Sequence, residues 1–329
     1  MIIYLDQNKW IDLAKAILNP TDNPNYVEVS NLVLEKIENG EWIFPLSTLH
    51  VWETGSRAEE ESRKKLVSVM AKISNGYSIK SFLDVQKDEL INIFIEICAP
   101  EKIKKIEAII KNPLVAIGAE DFLIKLKTDI LPTNVKQELI DIIDSHVRKN
   151  IENKDIANII LDNYDEEFVN GLREDDKILT RQFEKDRINL LKLPKQDRYN
   201  IFLIQRFWAM IKLLNINIHK LCEKNTILKS LSDDKNKCIN FLEGAPSINI
   251  STKLTYELLK DRERHIHEHD NRDINFLSTA IPYCDIVITE KTWKHLVKIN
   301  KLDDKYSTII ENDLNYLLRL NEQVNKAYQ

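Results

Sequence analysis

The chain begins with a short apolar run that ends at an acid. Ile2 to Leu5 are all apolar or aromatic, and Asp6 follows them directly. A continuous apolar run is typical of a buried strand in a parallel sheet. Ligands of open α/β sheets bind just beyond the carboxyl ends of the strands. Asp6 is therefore a candidate active-site acid, with a role as helix N-cap as the alternative.

The residues that follow predict an alternation of helices and strands. Apolar residues at helical spacing predict one helix directly after Asp6 and another from Tyr26 to Gly40. Residues 41–46 are typical of a second strand, and Ser47 or Thr48 then begins a further helix. This order of elements predicts a parallel sheet with crossover helices.

The long middle segment, residues 57–242, predicts mostly amphipathic helices. Its apolar residues recur at three- and four-residue spacing, with breaks near Pro100, Pro113, Pro132 and Pro194. Either this segment is inserted in the sheet domain, or it forms a separate helical lobe. The spacing is clearest in four groups: Leu66/Val69/Met70/Ile73, Ile103/Ile106/Ile109/Ile110, Leu139/Ile142/Ile143/Val147 and Phe202/Leu203/Phe207/Met210/Ile211/Leu214.

The remainder of the chain predicts a return to the sheet. One helix is expected to end near His267, and the next to begin at Asp270 or Asp273. The apolar residues 286–288 are typical of a buried strand, which ends at the acid Glu290. Helices are expected at about 292–300 and 304–320. The predicted division has three parts. Residues 1–56 and 243–300 form a discontinuous α/β domain, residues 57–242 form a helical insertion or lobe, and residues 301–329 form a C-terminal helix packed on the domain.

Composition limits the classes of protein to which the chain can belong. Of its 329 residues, 43% are hydrophobic and 30% are charged, with a formal net charge of −5. These values describe a globular protein and argue against a general nucleic-acid coat, although clustered acids leave a nuclease open. No apolar run approaches the length of a membrane helix, and no signal-peptide pattern is present. We expect a cytoplasmic protein with free thiols at Cys98, Cys222, Cys238 and Cys284.

Carboxylates occur at comparable positions in several parts of the predicted sheet. Asp6 and Glu290 each end a predicted strand. Glu53 lies in the helix after the second strand, whereas Asp270 and Asp273 open the helix before the last strand. Because the carboxyl ends of parallel strands share one edge, we expect these acids to converge. Crowded carboxylates need a cation to stay ionised, and several hard oxygen ligands favour Mg²⁺ or Mn²⁺. Such a site suits phosphodiester hydrolysis.

The order of these motifs resembles that of the PIN-domain nucleases. The resemblance covers about residues 1–55 and 245–300. It implies a three-layer α/β/α fold with a short parallel sheet, dependence on Mg²⁺ or Mn²⁺, and cleavage of single-stranded RNA. It rests on four motifs: the strand followed by Asp6-x-Asn8, the helical Glu53, the pair Asp270/Asp273, and Ile288-Thr289-Glu290-x-x-Trp293.

The resemblance assigns the acids by position. Asp6 matches the first acid of the family and Glu53 the second. Asp270 or Asp273 matches the third, with a slight preference for Asp270, and Glu290 matches the fourth. The chain departs from the family in two places. Its last acid directly follows a threonine, whereas the family usually spaces an Asp by one residue, and its helical segment is far larger than the compact family domain.

Four further residues extend the candidate site. Asn8 and Thr289 are predicted to bind substrate, and Asn8 has the alternative role of holding Asp6. His50 lies one helical turn before the helical acid, where it would orient that acid or contact substrate. A structural histidine is the alternative. Asp285 precedes the last strand and is predicted as an additional metal ligand, with a turn cap as its alternative.

A group of histidines suggests a second kind of metal site. His265, His267 and His269 alternate along the chain, which resembles a zinc-ligand cluster. Alternate residues of a helix point to different sides, unlike the i,i+4 pair of a zinc-binding helix. Zinc is therefore the weaker interpretation.

A basic run in the helical segment has two interpretations. Because the basic residues are interleaved with acids, the pattern favours a solvated helix face. The alternative is a surface that tracks RNA, with Tyr199, Phe202 or Phe207 stacking on bases. The run consists of Lys177, Arg181, Lys185, Arg187, Lys192, Lys195, Arg198 and Arg206.

The sequence thus favours a metal-dependent endoribonuclease, with a toxin or defence role by family analogy. RNA is the expected partner, and a second copy of the chain or an inhibitor protein stays open. One alternative is a non-catalytic protein that uses the sheet domain as a scaffold. Another is a DNA-directed nuclease of the flap-endonuclease type.

Overall fold

The computed structural model describes residues 1–21, 23–118, 133–150, 152–213, 239–240 and 243–327. Most of these residues are helical. Among them, every helix is too short or too polar to cross a lipid bilayer. The helices are α1 (Gln7–Leu18), α2 (Val27–Glu38), α3 (Thr48–Gly55), α4 (Glu60–Ser74), α5 (Phe82–Cys98), α6 (Thr133–Asn150), α7 (Asn153–Leu161), α8 (Glu166–Lys192), α9 (Arg198–Leu213), α10 (Pro246–Lys260), α11 (Asp270–Tyr283), α12 (Lys291–Ile299), α13 (Leu302–Tyr306) and α14 (Tyr316–Ala327).

A short parallel sheet lies at the centre of the fold. Its described strands pair in the order β1–β4–β5, with Leu5 opposite Ile288 and Ile288 opposite Glu311. A separate antiparallel pair is formed by β2 and β3. The predicted mixed α/β class, with a short parallel sheet, is therefore confirmed. The strands are β1 (Ile3–Leu5), β2 (Ser78–Ile79), β3 (Ile109–Ile110), β4 (Ile286–Ile288) and β5 (Ile309–Glu311).

An extended segment joins the two sets of strands. Ile43 forms a parallel bridge with Ile2, and Leu46 forms one with Ser78. The predicted second strand over 41–46 is therefore present only as extended backbone with single bridges. Pro45 lies between the two bridges and has no N–H to donate, which limits the length of any ladder there.

Helices cover both faces of the parallel sheet because side chains alternate along each strand. Ile3 and Leu5 point to one face, where α1, α2, α4 and α7 pack. Tyr4 and Val287 point to the other face, where α8, α10 and α11 pack. The described part of 57–242 thus contributes side chains to both layers, including Met70 and Leu161 on the first face and Phe183 and Leu190 on the second.

Several predicted helices are confirmed, and one is wrong. The apolar groups that begin at Leu66, Leu139 and Phe202 fall in α4, α6 and α9. The group at 103–110 is not helical, because the chain leaves a 3₁₀ turn that begins at Pro100 and runs on to β3. The side chain of Asn92 holds this stretch by hydrogen bonds to both backbone groups of Lys104.

The C-terminal segment also departs from its prediction. A helix was expected over 304–320, but β5 lies inside this range and pairs with β4. Lys301 and Ser307 both adopt left-handed backbone angles, at φ +51° and +56°, which confine α13 to a short helix. The α/β unit therefore includes a third strand that the sequence pattern did not indicate.

Some predictions concern residues whose structure is not described. Four of the residues named above lie outside the described residues. They are Pro132, where a break was predicted, Leu214, which ends the apolar group that begins at Phe202, and the two cysteines Cys222 and Cys238. The side chain of Cys98 is likewise outside them. Cys284 is a buried free thiol, as expected.

Candidate active site

Asp6 lies at the edge of the sheet where β1 and β4 end. Its N–H donates to the carbonyl oxygen of Ile288, at 2.9 Å, which fixes the backbone of Asp6 at the end of both strands. The side chain caps α1, since Oδ1 accepts a hydrogen bond from the N–H of Gln7 at 2.7 Å. Thr289 Oγ1 donates to Oδ2 at 3.2 Å. Asp6 is thus a helix cap that also presents its second oxygen toward neighbouring elements.

Asp273 approaches Asp6 from the first turn of α11. The indole Nε1 of Trp293 donates to Oδ2 of Asp273 at 2.9 Å and so fixes one carboxylate oxygen. Asp6, Asp273 and Thr289 line a cavity of about 10 Å³. That volume corresponds to about one water molecule. The two carboxylates therefore border one small cavity, whose other lining residues include the apolar Leu49, Phe276 and Leu277.

The charges of three carboxylates act on one another at this edge. Burial raises the pKa of Glu53 to about 7, with the charge of Asp6 as the next cause, while Arg272 lowers it. Burial also raises the pKa of Asp273 to about 8, again with Asp6 as the next cause. The pKa of Asp6 is raised mainly by burial, and the charge of Glu290 adds to the effect. These carboxylates consequently have too little compensating positive charge nearby.

Asp270 has a different role from Asp273. Its Oδ2 accepts a hydrogen bond from the N–H of His267 at 2.8 Å, and Oδ1 lies 3.2 Å from Nη2 of Arg264. Both oxygens therefore hold the loop that precedes α11. The slight preference for Asp270 as the third acid is reversed, because Asp273 is the acid that lies beside Asp6.

Glu290 lies at the rim of the site and is exposed. It is the N-cap residue of α12. Asn8 Nδ2 donates to its Oε1 at 2.9 Å, so the described contact of Asn8 is with Glu290 and not with Asp6. The charge of Glu290 nevertheless raises the pKa of Asp6, Glu53 and Asp273. Glu290 thus adds negative charge from the outer side of the site.

Asp285 does not join the other acids. It precedes β4, whereas Asp6 and Glu290 follow the ends of β1 and β4. Its Oδ2 accepts a hydrogen bond from the N–H of Ile2 at 2.7 Å, at the start of the chain's first strand. This contact holds Asp285 at the opposite end of the parallel strands. The prediction that Asp285 is an additional metal ligand is therefore corrected, and its role is to tie two strand beginnings together.

His50 is buried beneath the site and has no access to substrate. The N–H of Ser47 donates to its Nδ1 at 2.9 Å, so Nδ1 carries no proton. Nε2 then carries the proton and donates to the carbonyl oxygen of Leu5 at 2.8 Å. Burial lowers the pKa of His50 to about 3. The structural alternative for His50 is the one that these contacts favour, since the ring links α3 to the end of β1.

We expect His50→Gln to change how stability depends on pH. The unfolded chain protonates this histidine below about pH 6.5, whereas the folded chain does not. Its contribution to stability is therefore present above pH 6.5 and lost as the pH falls toward 3. The cost of the substitution in unfolding free energy should be about 2 kcal/mol smaller at pH 5 than at pH 7.5.

Urea unfolding at these two pH values measures the effect. His295→Gln is the matched control, because His295 is exposed on α12. The control should show the same small cost at both pH values. An equal cost of His50→Gln at pH 5 and pH 7.5 would contradict the neutral, buried assignment.

The acids fit a divalent cation by their chemistry, although they do not form a closed cage. Asp6, Glu53 and Asp273 supply hard oxygen atoms. Burial is the main cause of their raised pKa values, and the negative charges of neighbouring acids, which a cation would offset, add to it. Within the described ranges, no three His, Cys, Asp or Glu side chains are close enough together to hold a metal ion. Water and a substrate phosphate would have to complete the shell of a bound Mg²⁺.

The histidine cluster lies in the loop between α10 and α11. The rings of His265 and His267 are in edge contact, with centroids 4.8 Å apart. His269 Nδ1 lies 3.9 Å from Oδ2 of Asp176. In this part of the described chain, no group of three or more His, Cys, Asp or Glu side chains could hold a metal ion.

The aromatic residues of the basic run are not available for stacking on bases. Phe202 and Phe207 are buried in the protein interior. The hydroxyl of Tyr199 donates to Glu243 Oε1 at 2.8 Å. Arg187 and Arg198 donate to backbone carbonyl groups. These contacts favour the interpretation of the run as a structural and solvated helix surface.

Two residues beside the acids were not among the predicted site residues. Arg272, between Asp270 and Asp273 in the sequence, pairs with Asp176 of α8, with Nε 2.9 Å from Oδ1. No local pattern indicates a contact between residues so far apart in the chain. Trp293 belongs to the motif Ile288-Thr289-Glu290-x-x-Trp293, whose pattern does not indicate its contact with Asp273. A buried indole N–H needs a hydrogen-bond acceptor, and this requirement could have indicated a contact between Trp293 and a nearby acid.

Comparison with known proteins adds no relative from which a function could be transferred. The chain matches no family model, no curated protein and no solved structure.

Proposed function

We propose that the chain is a metal-dependent endoribonuclease with a PIN-like fold. The observation that carries the proposal is the charge relation among three acids. After burial, the charge of Asp6 is the largest cause of the raised pKa of both Glu53 and Asp273. The three acids come from different parts of the chain, since Asp6 follows β1, Glu53 lies in α3 and Asp273 lies in α11. Several carboxylates gathered at the carboxyl edge of a parallel sheet suit divalent-cation chemistry.

The residues of the site have distinct roles in this proposal. Asp6, Glu53 and Asp273 would hold Mg²⁺ or Mn²⁺. Thr289 fixes one oxygen of Asp6, and Trp293 fixes one oxygen of Asp273, so both carboxylates are oriented before substrate arrives. A bound divalent cation supplies activation of water and stabilisation of the charge that develops on the phosphate. Glu290 stays at the rim, where it adds to the negative charge.

RNA as the substrate, and a role as a toxin or defence effector, rest on the resemblance of the motifs to the PIN-domain family. The fold is compatible with that family in its short parallel sheet between two helical layers. The acids at the carboxyl edge of the sheet support hydrolysis of a phosphodiester.

Incubation of the purified chain with labelled RNA tests the proposal. We expect internal cleavage of single-stranded RNA with Mn²⁺ or Mg²⁺, and none when EDTA removes the cation. Faster cleavage of single-stranded or flap DNA would move the substrate assignment to the flap-endonuclease alternative. No cleavage of any of these substrates would overturn the proposal and favour the scaffold, in which Asp6 serves only as the cap of α1.

A further inference from the structure

A groove runs along the surface between α1 and α4. Its volume is about 320 Å³, and its apolar lining, called the apolar floor below, consists of Ile11, Ala14, Leu18 and Leu66. Pockets that bind small organic ligands generally have volumes of about 300–1,000 Å³ and mostly apolar linings. The groove therefore has the size and the floor of a site for one ligand group.

Positive charge borders this groove. Lys15, Arg57 and Lys65 line it, and none of the three forms an ion pair within the part of the chain that the structure describes. Of the two acids in the lining, Glu59 is engaged as the cap of α4, where its Oε2 accepts from the N–H of Ser62 at 2.7 Å. Three cations therefore line the groove together with two acids, Glu59 and Glu61, and this formal net charge of +1 favours an anion.

The groove lies along the helix that Asp6 caps. On α1, residues 11, 14, 15 and 18 line the groove. Gln7 lies one helical turn before Ile11 on the same side of the helix. Gln7 Nε2 donates to Oγ1 of Thr54 at 3.0 Å. Thr54 follows Glu53 directly and lies three residues before Arg57. Since a helix rises about 1.5 Å per residue, Ile11 lies about 7.5 Å and Lys15 about 14 Å further along α1 than Asp6.

We propose that the groove binds a nucleotide of single-stranded RNA on the part of the strand that extends along α1 from the bond that is cleaved. Lys15, Arg57 and Lys65 contact the phosphates, while the apolar floor takes the ribose and the base. This inference rests on the proposed function, because it names the strand that reaches the acids. Since cations on phosphates provide most of the recognition, the binding tolerates different sequences.

Equilibrium binding to a fluorescein-labelled, mixed-sequence single-stranded RNA tests the groove. The measurement is made in EDTA, so that it does not depend on cleavage. The triple variant Lys15→Ala, Arg57→Ala, Lys65→Ala should bind about ten-fold or more weakly at low salt. The slope of log affinity against log salt should become shallower by roughly 2, because each phosphate contact contributes about 0.7.

A matched control removes three other exposed cations. Arg173, Lys185 and Lys195 lie on and after α8, and their replacement by Ala makes the same change in net charge. This control should bind RNA within about three-fold of the unmodified chain, since only unspecific attraction is reduced. An equal or greater loss in the control would overturn the groove assignment, as would unchanged binding by the groove variant.

Two further measurements keep the test independent of folding and of the proposed function. If the triple variant unfolds, Lys15→Glu and Lys65→Glu make the same test, because both side chains are exposed. Photocrosslinking with 4-thiouridine RNA should label peptides of α1 or α4, and labelling of α8 and α9 instead would overturn the inference.

If the chain binds RNA through the groove but does not cleave it, the proposed function fails while the groove stands. If the groove variant cleaves and binds normally, only the groove fails.

Discussion

Asp273→Asn should abolish RNA cleavage and at the same time stabilise the cation-free protein at pH 8. The substitution keeps the shape of the side chain and an oxygen that accepts from the indole of Trp293. It removes one of the charges that would hold the cation. Loss of a group that stabilises charge in a transition state costs about 10²–10³-fold in rate. We therefore expect at least that loss in the rate of cleavage with Mn²⁺.

The expected gain in stability follows from the sign of the pKa shift. The pKa of Asp273 is raised to about 8, mainly by burial, from a usual value near 4 in the unfolded chain. The folded protein therefore holds a proton that the unfolded chain has released. Its stability falls as the pH rises from about 4 through about 8. The asparagine variant lacks this decline, so its advantage in unfolding free energy should grow between pH 5 and pH 8.

Urea unfolding in EDTA at pH 5 and pH 8 measures this advantage, and a repeat with Mn²⁺ tests its origin. Mn²⁺ should stabilise the unmodified chain through preferential binding to the folded state, and the variant much less. Asp270→Asn is the matched control on the same helical turn. It should retain cleavage and lose stability, because Asp270 holds the loop through His267 and Arg264. Loss of cleavage in the control alone would reverse the assignment of the third acid.

The parts of the site that could be predicted from the sequence are those whose pattern is formed by neighbouring residues. β1 and β4 are short apolar runs, each followed by polar residues at a sheet edge. Asp6 could therefore be placed without knowledge of the rest of the chain. Glu53 could be placed because Ser47 begins α3, with His50 completing the capping box. In each case the feature depends on residues within a few positions of one another.

The parts that were missed depend on contacts between distant residues. Ile309 and Ile310 form too short an apolar run to be distinguished from a helical pattern, and only pairing with β4 makes them a strand. The choice between Asp270 and Asp273 was decided by Arg264 and Trp293, which bind them from other elements. Spacing along α11 contains no information about either partner.

Asp176→Ala should cost about 3–5 kcal/mol of unfolding free energy, because it leaves a buried guanidinium without its partner. Arg272 is 7% exposed and Asp176 is 4% exposed. Their two contacts, at 2.9 and 2.5 Å, join α8 to α11. After the substitution, the remaining described hydrogen bond of the guanidinium is a long one, at 3.4 Å, to the carbonyl oxygen of Leu172.

The neighbouring residue provides the control. Asp175 is exposed, so Asp175→Ala should change the unfolding free energy by no more than about 0.5 kcal/mol. Urea unfolding of both variants measures the difference. A cost no larger for Asp176→Ala than for Asp175→Ala would contradict a buried, paired role. The double variant Asp176→Leu, Arg272→Met should recover most of the loss, since apolar residues can replace a buried ion pair.

The same ion pair explains why the long helical segment matters to the site. Arg272 immediately precedes Asp273, and its guanidinium also lies over the ring of Trp52, 5.9 Å from the centroid, next to Glu53. Asp176 of α8 therefore fixes a cation that lowers the pKa of Glu53. Under conditions in which Asp176→Ala is still folded, RNA cleavage should fall more than in Asp175→Ala, because Arg272 is then free to approach Glu53. Equal cleavage by the two variants would limit the pair to a role in stability.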